Sequence, residues 1–373
     1  MNIIVTGSDG FISKNLISKI DPKKNTIFCF NRNTPLDSLF EKILEADFIL
    51  HFAGENRPED NNDFNKCNFL LTKKIVDFIC EKKLNKIKII FSSTIKVGIE
   101  ENEYSISKAN AEKILLDLSK NNGNIVSILR LPNIFGKWSR PNYNSVVATF
   151  CFNTVHSLEN NIHDPHKLIS LFYIDDLVNF LIEQLKFLKK TIIVTNFNPI
   201  YKITLSDLDK MIKSFYQSRI SNIVGSFGHG FQRALYSTFL SFVPIEKCSY
   251  SIDDFKDPRG MFCEFIKTKN SGQVSFFTIN VDNRRGGHYH HTKNEKFLVI
   301  SGKARFNFKH IITNDIFSID VNHENMMIVE TIPGWAHEII NVGNTRVIAL
   351  LWANEIFDQD QPDTYFKNNI SNE

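Results

Sequence analysis

At 373 residues the chain is too long for one ordinary core, so two domains are expected. Its 42% hydrophobic and 23% charged residues suit a soluble globular protein, and a net charge of +3, with lysines spread along the chain, argues against a broad nucleic-acid footprint. Six cysteines (Cys29, Cys67, Cys80, Cys151, Cys248, Cys263) form no CxxC pair, no basic and then apolar leader opens the chain, and no apolar run is long enough to span a bilayer. A cytoplasmic protein with reduced thiols, free of membrane and nucleic acid, is the expectation.

To about Val178, short apolar runs alternate with amphipathic stretches: NIIVTG then FISKNLISKI, DFILHFAG then FLLTKKIVDFICEK, KIKIIFSS then KANAEKILLDLSK. This pattern predicts a parallel sheet covered by helices. From SYSIDDF onward, short alternating segments such as GQVSFFTINV and TRVIALLWANE stand between Gly, Asn and Asp turns, which predicts an antiparallel barrel or sandwich. The boundary should fall near residues 220 to 250.

In TGSDGF, Gly7 and Gly10 lie between a strand and a helix, where the backbone can approach a pyrophosphate and the helix start offers free N–H groups. A plain turn is the competing reading. Ser13 takes the place of a third glycine and is small enough for helix–strand packing. The second strand ends FCFNRN, with Asn31 and Arg32 where an acid would bind a ribose 2′-hydroxyl. Arg32 suits a 2′-phosphate, hence NADPH, unless it is simply a solvated surface cation. Phe11, Ile12, Ala53 and Gly54 complete the cofactor-binding candidates.

YSISK sets Tyr104 and Lys108 one turn apart on one helix face. Lys108 is expected to lower the Tyr104 pKa, so that the phenol exchanges a proton with a carbonyl oxygen while a nicotinamide exchanges hydride. Thr94, or its neighbour Ser93, ends a strand and can hydrogen-bond the same oxygen. With TGxxGF, HFAG, SST and YxxxK in this order, the chain resembles the extended short-chain dehydrogenase/reductase family that modifies nucleotide sugars. RLPNIFG and FYIDD look like further segments of it. The resemblance implies that Asn133 helps hold substrate or nicotinamide. Asp175 and Asp176 serve the site or cap the following helix. Only ten positions separate Thr94 from Tyr104, so a short loop and an open sugar pocket are expected.

Further on, GGHYHHTKNEKFLVISG places His288 and His290 on one strand face, with Glu295 after a turn. GWAHEIIN brings His337 on a later strand. Three imidazoles and a carboxylate form a plausible Zn²⁺ set. The spacing resembles the two-part motif of the cupin family, although Pro333 directly precedes Gly334 where that motif inserts a residue. His291 points to the opposite face, toward substrate or solvent. DPRGMFCEF resembles the opening of sugar-epimerase cupins.

The segments NRPED, LPNIFGKWSRPNYNSVVATFC, QSR, HHTKNEKFLVISGK and NEIFDQDQPDTYF extend the likeness over nearly the whole chain. They resemble the family of bifunctional reductase–cupin enzymes of bacterial capsular polysaccharide synthesis, on the route to UDP-N-acetyl-L-fucosamine. That resemblance implies an extended reductase domain, residues 1–245, with a Rossmann-like α/β sheet, and an all-β cupin jelly roll, residues 246–373. It implies C3 epimerisation of a UDP-2-acetamido-2,6-dideoxy-4-hexulose in the cupin, then NADPH-dependent reduction of the C4 ketone to UDP-2-acetamido-2,6-dideoxy-L-talose. It also implies a zinc-containing homodimer. The alternative is a ketosugar reductase whose cupin is only structural or dimerising.

Overall fold

The computed structural model describes residues 1–56, 64–367 and 370. They fall into two compact units, Met1–Lys213 with Gly228–Pro244, and Ser214–Phe227 with Ile245–Glu373. Where the sequence suggested one cut at 245/246, residues 214–227 join the second unit. The reason is backbone pairing: Lys267 donates to the Asn222 carbonyl at 2.8 Å and accepts from Val224 at 2.7 Å. Most of the NRPED segment lies outside the described residues.

The first unit begins with strands β1 (Asn2–Thr6), β2 (Thr26–Phe30), β3 (Phe48–His51), β4 (Lys88–Thr94) and β5 (Ile125–Leu131). With β8 (Ile192–Val194) they form a parallel sheet in the order β2-β1-β3-β4-β5-β8. Ile3, Ile4, Ile49, Leu50, Ile90 and Phe91 are each fully buried. Helices cover both faces of such a sheet, so its strands read as apolar runs without alternation. The strand order reverses between β1 and β3, and a crevice at the strands' carboxyl ends is where open α/β sheets bind ligands. Helices α1 (Phe11–Ile17), α2 (Leu36–Ile43), α3 (Leu71–Glu81), α4 (Glu103–Asn122), α5 (Val146–Val155) and α6 (Ile174–Phe187) follow in chain order. A smaller sheet orders β6 (Asn133–Phe135), β7 (Leu168–Tyr173) and β9 (Tyr201–Thr204). Helix α7 is Leu205–Ser221 and α8 is Gly230–Leu240.

Helix α4 is closed at both ends by local chemistry. The Asn102 side chain accepts from the Ser105 N–H, and Gly123 ends the helix at φ +82°. Its buried face carries Ser105, Lys108, Ala111, Glu112, Leu115 and Leu118. The polar members lie in its N-terminal half and the leucines in its C-terminal half.

The second unit stacks two antiparallel sheets. One orders β10 (Asp254–Asp257), β11 (Gly260–Thr268), β12 (Gly272–Ile279), β19 (Val347–Ala353), β14 (Glu295–Ser301) and β17 (Ile328–Glu330). The other orders β16 (Ile316–Asn322), β15 (Lys303–His310), β18 (Trp335–Asn341), β13 (Arg284–Tyr289) and β20 (Tyr365–Phe366). Phe277, Phe297, Phe306, Phe308 and Ile339 pack in the core of this unit. Alternating burial along β14 and β19 matches the alternating sequence. This is the jelly-roll arrangement expected of a cupin. Among the described residues no helix is long and apolar enough to cross a membrane.

Candidate active sites in the two units

In the first unit, Gly7, Gly10, Arg32, Ala53 and Gly54 line one cavity of about 560 Å³ at the sheet's switch point. Gly7 has φ +67°, and a Cβ there would sit 2.8 Å from the Ala53 backbone. Only glycine lets the β1 loop pass this close to the end of β3. Gly10 donates to the Gly7 carbonyl at 2.9 Å and caps α1, whose first residues, Phe11 and Ile12, are half-buried. Ser13 is fully buried, which fits its place as a small packing residue.

Arg32 is exposed, yet its guanidinium is paired with the buried carboxylate of Glu55. The Tyr143 hydroxyl donates to the same carboxylate, and Asn68 binds the Glu55 backbone at both N–H and carbonyl. Burial and the Glu55 charge push the Tyr143 phenol up to about 12. Glu55 and Tyr143 carried no signal in the sequence, because they meet from 88 residues apart. Asn31 donates to Asp9 in the glycine loop at 2.8 Å.

Thr94, Tyr104 and Lys108 converge where β4 ends and α4 begins. Thr94 lies close enough to the Tyr104 phenol to act on its pKa as a hydrogen-bonding group does. Thr94, not Ser93, is therefore positioned to share an oxygen with the phenol; Ser93 donates instead to Glu112 at 2.5 Å. Lys108 is buried, donates to the Ser92 carbonyl at 2.9 Å and lies 4.8 Å from the Phe91 ring centre. Burial pushes Lys108 down to about 8. The expected lowering of the Tyr104 pKa by Lys108 does not set the net direction. Burial raises that phenol, and the Thr94 hydrogen bond opposes the rise. A Cβ on Gly54 would meet Lys108 Nζ at 3.0 Å, so the HFAG glycine is where the glycine-lined cavity comes up against Lys108.

Asn133 is exposed on β6. Asp175 is held by Lys137 at 2.8 Å and by Lys19 at 3.2 Å, and against burial Lys137, Tyr173 and Lys19 keep its carboxyl below the usual range. Asp175 and Asp176 occupy the first turn of α6, where acids favour the helix dipole.

In the second unit His288, His290, Glu295 and His337 come together, with one ligand atom from each lying within 4.8 Å of the others. His288 pairs directly with His337 across β13 and β18, next to a bulge at Gly286–His288. Glu295 opens β14 in the other sheet, its Oε2 3.2 Å from His290 Nε2 and 3.3 Å from His337 Nε2. The donor set fits a divalent metal. His290 Nδ1 hydrogen-bonds the Asp363 carbonyl at 2.6 Å, the kind of outer contact that orients a ligating imidazole. Burial depresses His288 to about 3, which keeps its lone pair free for coordination. Glu295 is held well below the ordinary carboxylate range by His290 and His337, against burial. The Pro333–Gly334 turn forms with Gly334 at φ +82°, donating to the His290 carbonyl at 3.1 Å. His291 is exposed and packs edge-on against Tyr365.

The Asp363 carboxylate accepts from the N–H groups of His291, Thr292 and Lys293 at 3.1, 2.8 and 2.8 Å, which fixes the loop between His290 and Glu295. Sequence reading missed this clamp because it spans 70 residues or more. The cluster opens on a cavity of about 680 Å³ that also bears Phe255, Phe277, Arg285 and Lys293.

Residues 3–194 match the NAD dependent epimerase/dehydratase family, just over half of the chain. The chain belongs to that family. Residues 255–365 match the polysaccharide biosynthesis C-terminal domain. A Pseudomonas aeruginosa protein named UDP-2-acetamido-2,6-beta-L-arabino-hexul-4-ose reductase is 42% identical over 366 residues, covering 98% of each chain. The solved structure of the capsular polysaccharide assembling protein CapF of Staphylococcus aureus is 37% identical, with a TM-score of 0.90 over 98% of this chain and 100% of that one. Both matches run end to end, so this epimerase/dehydratase family member shares their two-domain family. The UDP-glucuronic acid 4-epimerase of Bacillus cereus, 17% identical with a TM-score of 0.53 over 65% of this chain, shares the fold of the first unit.

Proposed function

We propose that the protein is an NADPH-dependent reductase of a UDP-linked 4-ketosugar that also epimerises C3. In this reading residues 1–245 carry reduction and residues 246–373 carry epimerisation, with the metal-type cluster and its cavity supporting the second activity. The observation that carries the reading is the convergence of Thr94, Tyr104 and Lys108 beside the glycine-lined cavity, in a chain matched end to end by a UDP-hexulose reductase.

Gly7, Gly10, Ala53, Gly54 and Arg32 would hold NADPH, which supplies hydride for carbonyl reduction when bound. Tyr104 donates its proton to the C4 oxygen, Thr94 orients that oxygen by hydrogen bonding, and Lys108 stabilises the phenolate left behind. The raised Tyr104 pKa keeps the phenol protonated at neutral pH, which is the state a reductase needs. In the second unit His288, His290, Glu295 and His337 would hold Zn²⁺, which supplies Lewis-acid polarisation of an oxygen ligand when bound. The cavity beside them is large enough for a nucleotide sugar, and Arg285 and Lys293 on its wall complement a diphosphate.

NMR of the product from purified protein, UDP-2-acetamido-2,6-dideoxy-4-hexulose and NADPH tests both halves. The expected product is UDP-2-acetamido-2,6-dideoxy-L-talose, with solvent deuterium at C3 when the reaction runs in D₂O. Unconsumed NADPH would sink the reductase assignment. Reduction without deuterium at C3 would sink the epimerase assignment.

A further inference from the structure

Helix α4 meets the end of strand β4 through three side chains spaced one turn apart. The Tyr104 phenol lies beside Thr94, Lys108 donates to the Ser92 carbonyl, and Glu112 accepts from the Ser93 hydroxyl. Positions i, i+4 and i+8 share one helix face, so these contacts fall on three consecutive strand residues. The first two belong to proton transfer. The third has no place in the chemistry derived so far. A carboxylate with only 4% of its side chain exposed is costly to bury unpaired, and Arg130 on β5 grips this one with Nε at 3.1 and 3.2 Å and Nη2 at 2.7 Å.

We propose that Glu112, clamped by Arg130, is a positioning residue of the reductase that holds β4 against α4 and supplies the negative charge that keeps Lys108 cationic. This rests on the reductase reading. Burial pushes Lys108 down, and the Glu112 charge acts upward. The Tyr104 phenol lies one turn away on the same helix, and His51 on β3 feels the Lys108 charge. Burial, with help from Lys108, keeps His51 neutral. Arg130 works in the opposite sense, because it offsets part of the Glu112 charge. Lys108 must be cationic to stabilise the phenolate as Tyr104 gives up its proton. Removing the Glu112 charge and removing the Arg130 charge therefore have opposite effects on the pH at which activity is lost.

The test is the pH dependence of kcat for NADPH oxidation by the full chain with the UDP-4-ketosugar, in wild type, E112Q, E112D and R130Q. In E112Q the basic limb moves to lower pH by roughly half a unit to one unit. In R130Q it moves to higher pH, and E112D falls between wild type and E112Q. An unmoved limb in folded E112Q, or limbs that move the same way in E112Q and R130Q, overturns the proposal. Should one charge variant fail to fold, the other still reads the sign, and E112D reads it in part. A wild type that does not oxidise NADPH sinks the reductase reading instead. The Lys108 titration is then followed directly by lysine ¹³Cε NMR in the same proteins, and an unchanged titration in E112Q overturns the Glu112 assignment by itself.

Discussion

His288 and His337 stand opposite each other on paired strands, their ring centres 4.7 Å apart, and Glu295 reaches the pair from the facing sheet. No single element supplies the whole donor set, so a bound ion would tie the two sheets together. The purified protein is expected to carry about one divalent metal per chain, and H337A to lose most of it. An ion present at 100 times its Kd stabilises the folded state by about 2.7 kcal/mol. A chelator should therefore lower the Tm of wild type and leave that of H337A unmoved. Metal analysis by mass spectrometry beside a thermal scan checks both points, and stoichiometric metal in H337A would refute the ligand assignment.

Tyr104→Phe removes the proposed proton donor and leaves the ring that packs 5.8 Å from Phe64. Reduction should fall by roughly 10²- to 10⁴-fold, the usual worth of general acid catalysis. NADPH binding, followed by cofactor fluorescence, should not change. Deuterium uptake at C3 should persist, since the histidine cluster belongs to the other unit. Loss of deuterium uptake in Tyr104→Phe would show that the two activities are not divided as proposed.

Local spacing carried much of this in the sequence. The apolar runs NIIVT and FILH mark strands buried on both faces, and the glycine turn, the Tyr104–Lys108 interval and His288-x-His290 each lie within a few residues. What stayed hidden is what the fold brings together from afar. Glu112 meets Arg130 and Ser93 from 18 and 19 residues away, and Asp363 reaches back 70 or more residues to the loop before Glu295. The net direction of the Tyr104 shift is hidden for the same reason. A nearby cation is visible as i, i+4 spacing, whereas the burial that outweighs it depends on packing of the whole unit.

Arg32 is the group on which cofactor choice should turn. A charge-assisted bond from it to a 2′-phosphate would be worth about 1.5–3 kcal/mol, so Arg32→Ala should weaken NADPH by roughly 10- to 100-fold and leave NADH nearly unaffected. Dissociation constants for both cofactors measured by fluorescence decide this. Equal weakening of the two would mean that Arg32 acts by holding Glu55 in place, the contact it makes in the structure.

His51 sits fully buried between two hydroxyls, with Thr6 Oγ1 2.7 Å from Nδ1 and Thr72 Oγ1 2.8 Å from Nε2. Burial, helped by the Lys108 charge, depresses it to about 3. In the unfolded chain a histidine titrates near 6.5, so between about pH 3 and pH 6.5 the unfolded state binds the extra proton. Stability from this residue is therefore fully present above pH 6.5 and is lost as pH falls through that window. The slope is about 1.4 kcal/mol per pH unit, or about 2 kcal/mol between pH 7 and pH 5. His51→Gln keeps a hydrogen-bonding side chain but cannot titrate. Urea unfolding of the first unit at pH 7 and pH 5 should show wild type losing about 2 kcal/mol more than His51→Gln over that interval. Equal losses in the two proteins would mean that His51 does not stay neutral in the folded state.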